Sequence, residues 1–194
     1  MSRALDVAAA IIEAQHRRQN TVDKKQLQKL LYFVQSTHLV LWGERAFDEP
    51  LLAYQAGPVE RTTEQAYRGA VSHWSQPIPA PLAANPIPDA VLETIEVVLD
   101  RLGSNTADEL EAMTKLPNSP WVEARGSTPP RQPSSAVIPL ARIRDWARSR
   151  HLGAEGAVLT DGARAAFDRI AAGDPTALAD LGFRPDPRLS PVEG

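Results

Sequence analysis

Between Asp23 and Trp42 the chain carries a run that fits one element in one setting, a helix enclosed by other helices. At helical spacing Leu27, Leu30, Leu31, Val34, His38 and Leu41 share one side, an arc about 100° wide. The opposite side, where a surface helix would be polar, holds Tyr32, Phe33, Leu39 and Val40. A helix apolar nearly all round is a buried one. Its start is marked by Asp23 and, three residues on, Gln26, the letters of a capping box, with Val22 and Leu27 as the hydrophobic staple. Lys24, Lys25, Gln26, Gln28 and Lys29, all in the first turns, read as the only solvated part. The expected fold is therefore mainly α, a compact helical bundle around one central buried helix.

The flanking segments supply the rest of such a bundle. Residues 3–18 predict a helix with Leu5, Ala8, Ala9 and Ile12 on one stripe. Leu51 to Gln55 read as a short β-like run, with residues 51–59 the one extended element, which Gly57-Pro58 should terminate. Residues 60–70 suggest a short helix. Five prolines between Val71 and Pro88 predict an extended connector over the surface. Residues 89–103 form an amphipathic helix with Val91, Ile95, Val98 and Leu102 inward and Gly103 at C′. Thr106 with Glu109 is a second capping box. Ser119-Pro120 is an N-cap followed by proline in the first helical turn, residues 126–135 a surface loop. The helix after Pro139 turns Leu140, Ile143, Trp146 and Ala147 inward. Beyond it the texture changes, so a domain over 1–151 is expected to be followed by a C-terminal helical extension and tail over 152–194, with a cap at Thr160 or Asp161.

Bulk composition narrows the function classes. A net charge of −3 over 194 residues offers no global attraction to nucleic acid or an anionic membrane. The absence of cysteine removes disulfides, thiolate metal sites and a cysteine nucleophile. Asp6 and Glu13 interrupt the apolar N-terminus, and no apolar run reaches the roughly 18 residues of a membrane span. A cytoplasmic protein with no membrane partner is expected.

No chemistry-bearing motif stands out. His16, His38, His73 and His151 never share a helix at metal-ligand spacing, and no phosphate-loop, dinucleotide, zinc-protease or hydrolase-elbow string occurs. No cofactor, metal or catalytic residue is expected. His38 reads as a core histidine donating to a backbone carbonyl, and Glu109, Glu111, Asp48 and Glu49 as dipole-complementing or solvated acids. The basic clusters, Arg142, Arg144, Arg148 and Arg150 on one helix and Lys24, Lys25 and Lys29 on another, suit a solvated rim or a protein-partner surface better than phosphates. Trp42, Trp121 and Trp146 fall at core positions. Trp74 is either folded back or an interface anchor.

Taken in order, several strings resemble the Panacea domain, the SocA-like antitoxin domain. They are Leu27-Gln28-Lys29-Leu30-Leu31-Tyr32-Phe33, then Gly43-Glu44, Phe47, Pro50, Tyr54 and Gly57-Pro58-Val59, then Met113-Thr114 and Ser119-Pro120-Trp121. The resemblance spans roughly residues 5–125, with Ile138 to Trp146 as a closing segment. Where many members carry a histidine after the threonine, this chain has Lys115. The 152–194 tail has no counterpart. The resemblance implies an antitoxin, not an enzyme, that neutralises a co-encoded toxin by direct protein contact. An adaptor delivering the toxin to an ATP-dependent protease is the alternative. A DNA-binding regulator, resting on Leu159 to Arg164 and the arginine cluster, is a lesser one. Partner contacts are expected at Lys24, Lys25, Gln28, Tyr67, Arg68 and Trp74, taken as exposed. Gly57 is expected to supply a free backbone angle and Pro58 a stop.

Overall fold

The computed structural model of the chain describes residues 2–68, 76–82, 84–129 and 132–149. In chain order these form α1 (Ala4–Arg17), α2 (Lys24–Leu41), β1 (Leu51–Tyr54), β2 (Gly57–Glu60), α3 (Arg61–Tyr67), α4 (Asp89–Leu102), α5 (Ala107–Thr114), α6 (Pro120–Arg125) and α7 (Leu140–Ser149). The fold is mainly α with one small antiparallel sheet, as the periodicity predicts. Trp74, Arg150 and the whole 152–194 extension lie outside the described residues.

The rod is α2, and it packs against α1, α3, α4, α5, α7 and β2. Leu30, Leu31, Tyr32 and Val34 have no exposed surface, and Leu27 and Phe33 almost none. Enclosure goes further than hydropathy predicts. Every residue of α2 except Lys25 is buried, so Lys24, Gln26, Gln28 and Lys29 are not solvated. Their polar ends are used on backbone that has no ladder partner. Gln26 Nε2 donates to the Asn105 carbonyl at 2.8 Å, the Glu60 amide donates to Gln28 Oε1 at 2.7 Å, and Lys29 Nζ donates to the Pro58 carbonyl at 3.2 Å. Farther along, Gln35 receives the Ala46 and Phe47 amides and donates back to the Phe47 carbonyl, fastening the loop after α2. A buried backbone amide left unpaired costs about as much as a lost hydrogen bond. The polar letters of α2 therefore hold irregular segments to the rod.

Local capping chemistry sets most of the boundaries. Asp23 accepts from the Gln26 amide, but the Gln26 side chain goes to Asn105, so the expected capping box is only half made. Thr106 and Glu109 form the complete box at α5. Ser119 caps α6 with Pro120 in its first turn. The proline-bearing connector contains no helix in its described part. It is also not confined to the surface, because Ile78 is buried in the core and its amide donates to the Val22 carbonyl at 2.8 Å.

Three further expectations are corrected. Gly57-Pro58 does not terminate the extended run; it begins β2, which pairs with β1 in the register Leu52↔Val59, Ala53↔Pro58 and Tyr54↔Gly57. Gly103 takes a right-handed conformation (φ −64°). A Cβ there would lie 2.5 Å from the Leu99 carbonyl oxygen and 3.1 Å from Gln15 Oε1, and Gln15 Nε2 donates to the Gly103 carbonyl at 2.6 Å. Trp42 is 37% exposed, not core, and stands at the C-cap, just past the last turn of α2.

Candidate partner-binding site

The hairpin is where letters far apart in the sequence converge. A two-residue turn, Gln55-Ala56, joins β1 to β2, and the positive φ it requires falls on Gly57, at 96°. The next residue cannot donate, and in this register it does not have to. Pro58 lies opposite Ala53 with its carbonyl turned to α2, where Lys29 meets it. Gln28 and Lys29 thus stand along the outer edge of β2 in place of a further strand. On the other edge, the Ala53 amide donates to the Ala136 carbonyl and the Ile138 amide to the Leu51 carbonyl, both at 2.8 Å.

Helices α5 and α6 close this corner from below. A Cβ on Gly57 would sit 2.8 Å from Lys29 Cε and 3.1 Å from Thr114 Oγ1, so rod, hairpin and α5 meet at a point that only glycine fits. Thr114 Oγ1 donates to the Glu111 carbonyl at 2.8 Å. Its own carbonyl accepts from Ser119 Oγ at 2.8 Å, and that same oxygen caps α6. Trp121 Nε1 then donates to the Tyr54 carbonyl at 2.8 Å, with Lys115 and Arg125 over its ring, each 5.0 Å from the centroid. Arg125, buried, donates to the Ala53, Pro129 and Gln132 carbonyls. Lys29, Gly57, Thr114, Ser119 and Trp121 are thus one structural joint.

Against this joint lies a pocket of about 400 Å³ lined by Lys25, Gln28, Lys29, Tyr54, Gln55, Ala56 and Val59. Its charges are unevenly matched. Lys25 pairs with Asp108 at 2.5 Å and Glu111 at 2.7 Å. Burial lowers the Lys25 pKa, but these bonds outweigh it and the net shift is upward. Glu111 also binds Lys115, and these cations outweigh burial to hold its carboxyl below its ordinary range. Lys29 is different. It is 1% exposed, no carboxylate lies within 4 Å of it among the described residues, and burial pushes its amine down to about 7.

Of the six residues expected to touch a partner, Trp74 lies outside the described residues and the other five divide between two places. Lys25, half-buried, and Gln28 share the pocket. Lys24 and Arg68 meet on another side, Lys24 Nζ donating to the Arg68 carbonyl at 3.4 Å, and Arg68 is exposed beside Glu64. Tyr67 is interior, its hydroxyl accepting the Leu82 amide at 3.0 Å. The premise of exposure therefore fails for Lys24, Gln28 and Tyr67. Tyr54, Gln55, Ala56 and Glu111 were not singled out for this corner. The register of the hairpin would have placed the first three, since a strand resuming at Gly57 leaves Gln55-Ala56 as its turn.

His38 is a core histidine, though a hydroxyl stands between it and the carbonyl. Its Nδ1 is 2.8 Å from Thr94 Oγ1, which donates on to the Ala90 carbonyl, so Nδ1 carries the proton. Burial pulls its pKa down to about 4. Of the arginines on α7, Arg142 pairs with Glu123 and Arg144 with Asp145. Among the described residues no group of three or more histidine or acidic side chains could hold a metal ion. No described helix is long and apolar enough to cross a membrane.

These features define a class: a helical domain wrapped round a buried rod, with a hairpin corner that presents a pocket. The particular family follows from the comparison of sequences. The family model described as Antitoxin SocA-like, Panacea domain, matches residues 27–122, from the first core leucine of α2 to α6. Over that span the chain carries this antitoxin-like domain. No curated protein and no solved structure matches it.

Proposed function

We propose that this chain is an antitoxin that neutralises a co-encoded protein toxin by direct contact, and that the contact includes the hairpin corner. The observation that carries the reading is the family match over 27–122. The geometry supports it in kind. The matched segment builds a rigid joint of buried, hydrogen-bonded side chains, and on that joint it displays a short hairpin and a pocket. Protein contacts favour such places, where a scaffold fixes a loop and leaves polar groups unmatched. Lys25 and Gln28 are the proposed contacts at the pocket, and exposed Arg68 is a second proposed contact on another side.

Delivery to an ATP-dependent protease and DNA binding have no specific observation in their favour, and two α7 arginines offered for phosphate contact are already matched to carboxylates. The test is co-expression with the toxic neighbouring reading frame, followed by mixing of the two purified proteins. Rescue of growth together with a co-eluting complex in size-exclusion chromatography is expected. Growth arrest that persists, with the two proteins eluting separately, would overturn the reading.

A further inference from the structure

Lys29 does two jobs of unequal completeness. Its amine braces β2 through one hydrogen bond to the Pro58 carbonyl at 3.2 Å. An ammonium has three donors, so two remain. The nearest acidic group in the electrostatics of the site, Glu111, is engaged by Lys25 and Lys115. Gln28 is also half used. Its Oε1 accepts the Glu60 amide at 2.7 Å, while its NH₂ has no hydrogen-bond partner among the described residues. Both side chains line the same pocket, whose other walls are the largely apolar Tyr54, Ala56 and Val59 together with Lys25 and Gln55. A buried ammonium without a counter-ion is costly unless it loses its proton or gains an anion.

We infer that the Lys29 pocket receives a carboxylate side chain, glutamate or aspartate, of the partner protein, with Lys29 Nζ and Gln28 Nε2 as its donors. The site fits this chemistry on three counts. Unused donors of two adjacent residues of one helix line the same pocket. The pocket, at about 400 Å³, accommodates a side chain and its stem against apolar walls. The floor is cationic, so charge complementarity selects an anion over a cation or an amide. The charged groups facing Lys29 are Glu111 from α5, Lys115 just beyond it, and Lys25 and Asp23 from the rod and its cap. Asp108 and Glu111 are taken up by Lys25 and Lys115, which leaves Lys29 with no carboxylate of its own among the described residues. Burial leaves the Lys29 amine near 7, and an entering carboxylate restores its charge with uptake of a proton. The inference rests on the antitoxin reading for the identity of the partner, but the pocket can be tested without any toxin.

The first measurement is an NMR titration of the lysine ¹³Cε signals of the wild-type protein. The probe is N-acetylglutamic acid α-methylamide, and the control is the uncharged N-acetylglutamine analogue. The Lys29 pKa should rise by about one unit or more with the acid and stay unchanged with the amide. The second measurement is binding of the neighbouring toxin to wild type, Lys29→Met and Ala56→Trp. The last variant alters an exposed turn residue at the pocket mouth, so its fold does not depend on the brace. Both variants, once circular dichroism shows them folded, should bind at least about tenfold more weakly. A Lys29 signal indifferent to the acid overturns the pocket assignment. So does toxin binding at wild-type affinity by Ala56→Trp, which would leave the pocket to a free small carboxylate. A wild-type protein that binds the acid probe and no toxin overturns the antitoxin reading and supports the pocket.

Discussion

At Lys29 the cost of burying an amine and the need to brace a strand meet in one side chain, and pH separates them. Its folded pKa lies near 7 and its ordinary value at 10.5. Between these pH values the unfolded chain binds more protons than the folded one. Stability should therefore increase with pH across that window, by at most about 1.4 kcal/mol per pH unit for this one proton. Urea unfolding at pH 7 and pH 9.5 should show the rise in wild type and its absence in Lys29→Met. His38 gives the same sign lower down. Its pKa of about 4 against 6.5 means that its contribution is complete above 6.5 and lost as pH falls toward 4. His38→Gln, which keeps a donor for Thr94, should flatten the stability profile between pH 6.5 and 4. Gly57 is the third such position. With φ at 96° and Lys29 Cε 2.8 Å from where a Cβ would lie, Gly57→Ala should cost roughly 1–3 kcal/mol, read as a lower urea midpoint. The positive φ was legible in the letters Gly57-Pro58. The role of Lys29 was not, because a lysine near a helix start looks the same whether it reaches water or a proline carbonyl.

Elements were easier to read than their polar contacts. Helices α1, α2, α4 and α7 follow from apolar spacing alone, and α5 and α6 from their caps, because both signals are local. The hairpin was misread for an equally local reason. Gly57-Pro58 breaks a strand in isolation, and only the pairing register, in which Pro58 does not have to donate to β1, makes proline acceptable in β2. The polar residues in the first turns of α2 read as solvated on hydropathy, yet Gln26, Gln28 and Lys29 bond to backbone 29 to 79 residues away, beyond any periodicity window. The two cap serine and threonine residues should differ in consequence. Ser119 is buried and also donates to the Thr114 carbonyl, joining α5 to α6. Thr106 works at an exposed N-terminus. Ser119→Ala should lose about 2 kcal/mol and Thr106→Ala about 1, compared by thermal unfolding of the two variants.

Over the described residues, the organisation is a rod whose apolar surface gathers five helices and whose polar residues fasten the loop after α2, the outer edge of β2 and the turn at Asn105. This arrangement was legible as a bundle around Asp23 to Trp42 and, through the ordered motifs, as a Panacea domain. The pocket was not, since it exists only when the turn at Gln55-Ala56 is folded over the start of the rod. A scaffold so fully bonded internally suits recognition by a fixed face, which is what the proposed neutralisation by direct contact needs. The decisive measurement is a titration of the purified toxin's activity with this purified protein, with no protease or nucleic acid present. Loss of activity that saturates at a fixed molar ratio is the result expected for neutralisation by contact. Toxin activity unchanged at a large excess of this chain would contradict it.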